Sequence, residues 1–155
     1  MKQDLSTLIT DIFVYLNLKD KIKEDFISKT KNLFNSVSYS ELNNLPIKYI
    51  SDICLFNYQF ISKKKSLPQV EFGEFKIPGD EKSSNSVIFI ITKDLQFIID
   101  SIRMVMLRNK IKIKLLAYTE TSEKNKYINC VLIVDYIYEE GFTSKLKKQL
   151  LNTIS

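Results

Sequence analysis

The sequence contains no histidine and no tryptophan, and it has only three glycines, three prolines and two cysteines among 155 residues. Without histidine, the usual zinc sites of mixed cysteine and histidine ligands cannot form, and no imidazole is available as a general base. The three glycines do not form a Gly-x-Gly-x-x-Gly pattern, so no phosphate cradle of a dinucleotide site can be built. No apolar run approaches the roughly 20 residues that a membrane-spanning helix needs.

The two cysteines, Cys54 and Cys130, lie far apart in the sequence among large apolar neighbours. This setting predicts two buried, reduced thiols in a cytoplasmic protein, and no metal site. The N-terminus leads straight into an amphipathic pattern, so we expect no signal peptide. With 45% hydrophobic and 26% charged residues, the composition is typical of a soluble globular protein.

The net charge of +5 comes from lysines spread along the chain, with one cluster at residues 63–65. Isoleucine, lysine and asparagine are abundant together, which indicates the codon bias of an AT-rich genome rather than a nucleic-acid role. An RRM-like module would also carry a Lys/Arg-Gly-Phe/Tyr-Gly-Phe signature on its third strand, and residues 127–135 lack it. The sequence therefore favours neither nucleic acid nor a membrane as a partner.

Residues 1–66 carry three apolar stripes at helical spacing. The first predicts a helix over residues 4–18, and the second predicts a helix over residues 21–36. The third predicts a helix that begins at Pro46, since proline suits the first turn of a helix. We therefore expect a helical N-terminal region over residues 1–66, packed as one unit with an α+β domain over residues 67–155.

The second region alternates between strand and helix patterns. It opens with a short edge strand around Val70 and Phe72, followed by a polar stretch over residues 78–86 that we expect to be a mobile loop. The patterns that follow are a β-branched strand over 87–91, an amphipathic helix from Leu95, an alternating strand over 111–117, a strand over 127–136 with two apolar faces, and a helix that carries Leu146 and Leu150. The order β-α-β-β-α predicts a ferredoxin-like α+β sandwich that lacks or replaces its last strand.

In a complete sandwich of this type, the last strand flanks the first. Its absence would leave one edge of the first strand unpaired, and an apolar edge invites pairing with another chain. The residues of this candidate interface edge are Val87, Ile88, Phe89, Ile90 and Ile91. We therefore expect either residues 69–75 to fold back over the edge or two copies of the chain to pair through it.

Residues 50–72 and 87–117 resemble the N-terminal region of the large bacterial NAD-specific glutamate dehydrogenases. In that family a helix leads to a Pro-x-Val-x-Val-Phe piece, a valine-rich strand and the motif Thr-Asp-Asp-Met-Pro-Phe-Leu-Val-Asp-Ser. Here Lys93 and Gln96 replace the Asp and Pro of the motif. The residues that coincide with it are Thr92, Asp94, Phe97, Asp100 and Ser101. Residues 127–151 are similar to the strand and helix that follow in the family.

The resemblance implies that this chain is the first ACT-like domain of a much longer enzyme, a regulatory or assembly module without catalytic activity of its own. The full-length enzyme would oxidatively deaminate L-glutamate to 2-oxoglutarate in the cytoplasm, with NAD bound in a downstream region rather than in this chain. The partner of the chain would be the rest of the glutamate dehydrogenase polypeptide or another copy of itself in an oligomer.

ACT domains often bind an amino-acid effector in the turn between the first strand and the first helix, where backbone N–H groups hold the carboxylate. The resemblance places this candidate site at Thr92, Lys93, Asp94, Gln96, Phe97, Asp100 and Ser101. Phe97 stands where the ligand-binding pattern has glycine, so we expect its ring to fill the pocket. We therefore expect a scaffold rather than a sensor. A stand-alone dimerisation or amino-acid-binding module is the alternative, and an RRM-like nucleic-acid binder is a weaker one.

Overall fold

A computed structural model describes residues 4–63, 66–93, 97–120, 127–135 and 140–154. The helices of this part of the chain are α1 (Leu5–Leu16), α2 (Lys23–Phe34), α3 (Tyr39–Asn43), α4 (Ile47–Ser62), α5 (Ile98–Arg108) and α6 (Glu140–Ile154). The strands are β1 (Gln69–Ile77), β2 (Asp80–Lys93), β3 (Ile113–Glu120) and β4 (Tyr127–Val134). A single 3₁₀ turn, Asp20–Ile22, precedes α2.

The four strands form an antiparallel sheet in the order β1-β2-β4-β3. β2 and β4 are therefore interior strands, while β1 and β3 lie at the two edges of the sheet. The segment from β2 to α6 has the predicted β-α-β-β-α order. The predicted fold class, N-terminal helices followed by an α+β sandwich, is thus confirmed.

β1 fills the place beside β2 that the last strand occupies in a complete ferredoxin-like sandwich. It reaches that place through a tight turn at Gly79, whose φ of 86° is readily adopted only by glycine. The register of the pair places Gln69 opposite Ile91. The prediction that residues 69–75 fold back over the first strand is therefore confirmed.

The candidate interface edge lies in the middle of the sheet rather than at a free edge. It consists of five buried residues, Val87, Ile88, Phe89, Ile90 and Ile91. This segment pairs with β1 on one side and with β4 on the other. The expectation that it serves as an interface is wrong, because β1 already occupies the edge that would have been open.

Residues 78–86 do not form the expected loop. Beyond the turn at Gly79, β2 begins at Asp80, and Asn85 and Ser86 are buried. The polar composition of this stretch suggested a loop, but pairing with β1 keeps it extended. Tertiary pairing here outweighs the low β-propensity of Asp, Asn and Ser.

Helices cover both faces of the sheet and build two separate cores. The N-terminal core joins helices α1 to α4 to one face, and the C-terminal core joins α5 and α6 to the other. Along β2, Val87 and Phe89 contribute to the N-terminal core, while Ile88 and Ile90 contribute to the C-terminal core. The interior strands are therefore apolar on both faces. The sequence predicted this for the strand over residues 127–136, which corresponds to β4.

The predicted helices over residues 4–18 and 21–36 correspond to α1 and α2, and the helix predicted to begin at Pro46 is α4. Asp4 caps α1 by accepting a hydrogen bond of 2.9 Å from the backbone N–H of Thr7. Pro46 is the residue just before α4, where a helix has no intrahelical partner for a backbone N–H. The Asp4 cap and the proline at position 46 thus favour the observed starts of α1 and α4.

α5 begins at Ile98, and the predicted start at Leu95 lies outside the described residues. The helix ends in a Schellman motif, in which the backbone N–H of Ile111 donates to the carbonyl oxygen of Met106 at 3.0 Å. Lys110 takes the left-handed conformation of this motif, with a φ of 57°. Glycine is the usual residue at such a position, because a Cβ makes the left-handed region unfavourable.

Lys110→Gly should stabilise the protein by about 0.5–1 kcal/mol, since relief of the left-handed backbone exceeds the entropy that glycine loses on folding. Urea unfolding of the variant and the parent protein measures this difference. Lys110→Ala is the matched control, because it removes the charge and keeps the Cβ, and it should leave the stability within about 0.5 kcal/mol of the parent. Equal effects of the two substitutions would contradict the backbone explanation.

Candidate functional site

Thr92, the first residue of the candidate amino-acid site, lies near the end of β2 and is buried. Its hydroxyl donates a hydrogen bond of 3.2 Å to the backbone carbonyl oxygen of Ile154, in the last turn of α6. A helix leaves its last four carbonyl groups without an intrahelical partner, so this bond satisfies one of them. Thr92 therefore fastens the end of α6 to the sheet, and its hydroxyl proton is donated to α6 rather than to a ligand carboxylate.

Phe97 immediately precedes α5 and has a left-handed backbone, with a φ of 66°. Its carbonyl oxygen accepts a hydrogen bond of 2.9 Å from the backbone N–H of Ser101, which closes the first turn of the helix. The aromatic side chain is largely exposed to solvent. The expectation that this ring fills a pocket is wrong, because the ring projects into solvent from a backbone that has turned into the left-handed region.

The other members of the candidate site are dispersed around this turn. Lys93 and Asp100 are exposed, and Ser101 is half-buried. Asp94 and Gln96 lie outside the described residues. Among the members that the structure describes, no hydrogen bond joins one side chain to another, and the role of these residues in ligand binding stays a prediction.

A buried amide pair, which the sequence patterns did not indicate, joins α4 to the sheet. The side-chain amides of Asn57 and Asn129 donate to each other's oxygen at 3.0 Å in both directions. Asn129 also donates to the backbone carbonyl oxygen of Ile90 at 3.2 Å. Both side chains are buried, so the pair satisfies polar groups that would otherwise be costly to bury. The available sequence signal is one asparagine on the inner stripe of α4 and one in the apolar run of β4.

A second polar network links the N-terminal helices to the other end of β2. The Asn85 amide nitrogen donates to the Tyr49 hydroxyl at 3.0 Å, and the Lys114 ammonium donates to the Asn85 oxygen at 2.8 Å. Burial raises the pKa of Tyr49, so its phenol stays neutral. Together the two networks fix the helical layer on the sheet at two places along β2.

A cleft of about 200 Å³ lies between the end of α4 and the edge strand β1. Its aromatic wall comes from Phe56 and Phe60, which belong to a cluster of rings around Phe89. Phe75 joins the same cluster, and Gly73 leaves room for its ring, since a Cβ there would approach the Phe75 ring to 2.6 Å. The cleft is smaller than the roughly 300–1,000 Å³ of sites for drug-sized ligands, so its size suits a small metabolite.

The rim of the cleft is polar and carries both signs of charge. Lys63 and Gln59 come from α4, while Glu71 and Gln69 come from β1. Glu71 also faces Lys147 of α6, at 4.0 Å between the carboxylate and the ammonium. Opposite charges over an aromatic wall suit a small zwitterion, in which an ammonium would face Glu71 and a carboxylate would face Lys63. The sequence patterns did not indicate this cleft, because its residues come from two elements that meet only in the fold.

Both cysteines are buried and free of disulfide bonds. Burial raises the pKa of the Cys54 and Cys130 thiols well above the ordinary value, so neither is a reactive thiolate. Within the described ranges, no group of three or more metal-ligating side chains comes together. None of the helices in those ranges is long and apolar enough to cross a membrane.

The family model described as glutamate dehydrogenase, ACT1 domain, matches residues 30–126 of this chain. The match takes in more than half of the 155 residues, from α2 to beyond the end of β3. β4 and α6 lie outside it, so the similarity expected for residues 127–151 stays a prediction. No curated protein and no solved structure gives a significant match.

Thr92→Val should lower the free energy of unfolding by about 1–3 kcal/mol, because it keeps the shape of the side chain and leaves the carbonyl group of Ile154 without its partner. Urea unfolding measures the change. Thr119→Val is the matched control, since Thr119 lies on the edge strand β3 and its hydroxyl donates to the backbone carbonyl oxygen of the exposed Glu120. Equal stability of the two variants would contradict the structural role of Thr92.

Proposed function

Since this chain belongs to the family of glutamate dehydrogenase ACT1 domains, we propose that it is an assembly and regulatory domain of a large NAD-dependent glutamate dehydrogenase. The full-length enzyme of this proposal oxidatively deaminates L-glutamate to 2-oxoglutarate in the cytoplasm. Within it, the chain contributes a folded platform for other parts of the polypeptide and contributes no reacting group. The observation that carries the proposal is the family match, which spans the helices and strands around β2.

The chemistry of the chain supports a role without catalysis. It has no histidine, and both of its thiols are held in the neutral form by burial. The three glycines of the chain do not form the Gly-x-Gly-x-x-Gly pattern with which a dinucleotide site approaches a pyrophosphate. In this proposal NAD and the catalytic groups belong to a downstream region of the enzyme.

The assembly role predicts that the purified chain does not oxidise glutamate with either nicotinamide cofactor but binds the catalytic part of the enzyme. Sedimentation velocity of an equimolar mixture with a glutamate dehydrogenase from the same organism, shortened to its catalytic region, should show a complex larger than either component. Glutamate turnover by the chain alone would contradict the proposal. Failure of the mixture to form a complex, with both components folded, would also contradict it.

The cleft between α4 and β1 favours a second candidate function, the binding of an amino-acid effector. Lys63 and Glu71 offer opposite charges on a site of metabolite size, whereas Thr92, near the end of β2, is engaged by α6. If an effector binds this domain, the structure supports the cleft better than the turn. Binding there would affect the junction of α4 with the edge of the sheet.

Thermal unfolding with millimolar glutamate and other amino acids tests this second candidate. At ten times its Kd a ligand adds about 1.4 kcal/mol of stability, which raises the midpoint by about 3–6 °C for a chain of this size. Glu71→Gln should abolish a shift that arises in the cleft, and Glu74→Gln, an exposed carboxylate on the same strand, should preserve it. If both variants preserve the shift, the ligand binds outside the cleft. If no amino acid shifts the midpoint, the effector role is contradicted and only the assembly role remains.

A further inference from the structure

The outer face of α5 carries an apolar stripe in addition to the one that packs on the sheet. Ile98, Ile102 and Val105 are buried in the C-terminal core. On the opposite side, Met104 is 47% exposed and Leu107 is 69% exposed. An amphipathic helix on the surface of a monomer normally presents polar residues on its outer face. α5 therefore has a second apolar face, which the described part of the fold does not bury.

The stripe continues to Phe97, whose side chain is 66% exposed. Within the helix, Asp100, Met104 and Leu107 follow one another in steps of four and three residues, and Phe97 lies just before its first turn. These alternating steps are the spacing of the a and d positions along the seam of a coiled coil. The outer face of α5 thus has the pattern of a helix that packs against a second helix.

The backbone at Phe97 supports this reading independently of the spacing. A left-handed φ of 66° is unfavourable for a bulky L-residue. Such conformations persist where function uses the position of the side chain. Here the conformation presents a large apolar ring at the start of the outer stripe, and the ring stacks on no other aromatic ring of the described residues.

The charges on this face are self-complementary. Asp100 and Arg108 lie at the two ends of α5, each four residues from Met104. Neither forms an ion pair with another residue that the structure describes. If two antiparallel copies of α5 meet at a two-fold axis through Met104, Asp100 of each copy faces Arg108 of the other. A two-fold interface repeats every contact, so a single favourable pair occurs twice.

We propose that α5 pairs with α5 of a second copy of this chain, antiparallel and centred on Met104. The inference rests on the proposed assembly role, to which it gives a surface and a partner. One helix pair buries less than the roughly 1,200–2,000 Å² of a typical stable interface, so we expect a weak and reversible dimer.

Complementary charge variants test the pairing directly. A homodimer of the Asp100→Arg variant places positive charges opposite each other across the axis. A homodimer of the Arg108→Asp variant places negative charges opposite each other there. Each variant alone should therefore dimerise at least tenfold more weakly than the parent chain. In an equimolar mixture of the two variants, a dimer that contains one chain of each again pairs opposite charges at both positions. The mixture should therefore associate at least tenfold more tightly than either variant alone. Sedimentation equilibrium at several concentrations measures all three dissociation constants.

Two further variants separate the apolar contact from general effects. Met104→Glu places two like charges at the axis and should abolish dimerisation, whereas Val14→Glu, at an exposed apolar position on α1, should leave it unchanged. Phe97→Gly should weaken the dimer and leave the urea midpoint of the monomer unchanged or higher, since glycine adopts the left-handed backbone without strain.

The inference is overturned by a parent chain that stays monomeric up to millimolar concentration. It is also overturned by a dimer that Met104→Glu leaves intact, or by a mixture of the charge variants that associates no better than its components. These outcomes are distinct from failure of the proposed function. A monomeric chain that still binds the catalytic region would remove the α5 pairing and retain the assembly role.

Discussion

The pairing of β1 with β2 is the contact on which the remaining architecture depends. It makes β2 an interior strand, with hydrogen-bonded neighbours on both sides and a helical layer on each face. An apolar strand such as residues 87–91 can be buried in this way only if both of its edges are paired, because unpaired backbone groups away from water are costly. The same pairing brings β1 against the end of α4, and the cleft exists only because these two elements meet there.

Each of the two helical layers must keep a fixed position relative to the sheet. Apolar packing alone is not directional, and it tolerates small slides of a helix across a strand. The buried amide pair of Asn57 and Asn129 is directional and would lose its hydrogen bonds in a shifted arrangement. The bond from Thr92 to the end of α6 has the same effect on the opposite face. We interpret these polar contacts as the positional constraints of the domain and the apolar cores as its main source of stability.

Periodicity predicted the helices, the order of the strands and the α+β class, because these depend on which faces are apolar. It failed for residues 80–86, since their polar side chains do not reveal that the backbone pairs with β1. The direction of the Phe97 ring could not be read either, because a left-handed φ is a property of the backbone at one residue and has no pattern along the chain. The cleft residues Lys63 and Glu71 come from separate elements, so only the fold brings them together. The family resemblance pointed to the β2-α5 turn, and there the structure shows Thr92 in use by α6.

The end of α6 and the start of β1 meet at one corner of the sheet, since Thr92 binds Ile154 and the neighbouring Ile91 faces Gln69. A strand placed after α6 in the chain would reach the same position and run in the same direction, so this chain is related to the complete ferredoxin-like order by a circular permutation of one strand. The difference matters for folding kinetics. A strand after α6 would pair with β2 only after the intervening elements had been brought together, at a considerable cost in loop-closure entropy. In this chain the covering strand is joined to β2 by a tight turn, so the edge is closed by a local hairpin, the kind of contact that forms within microseconds.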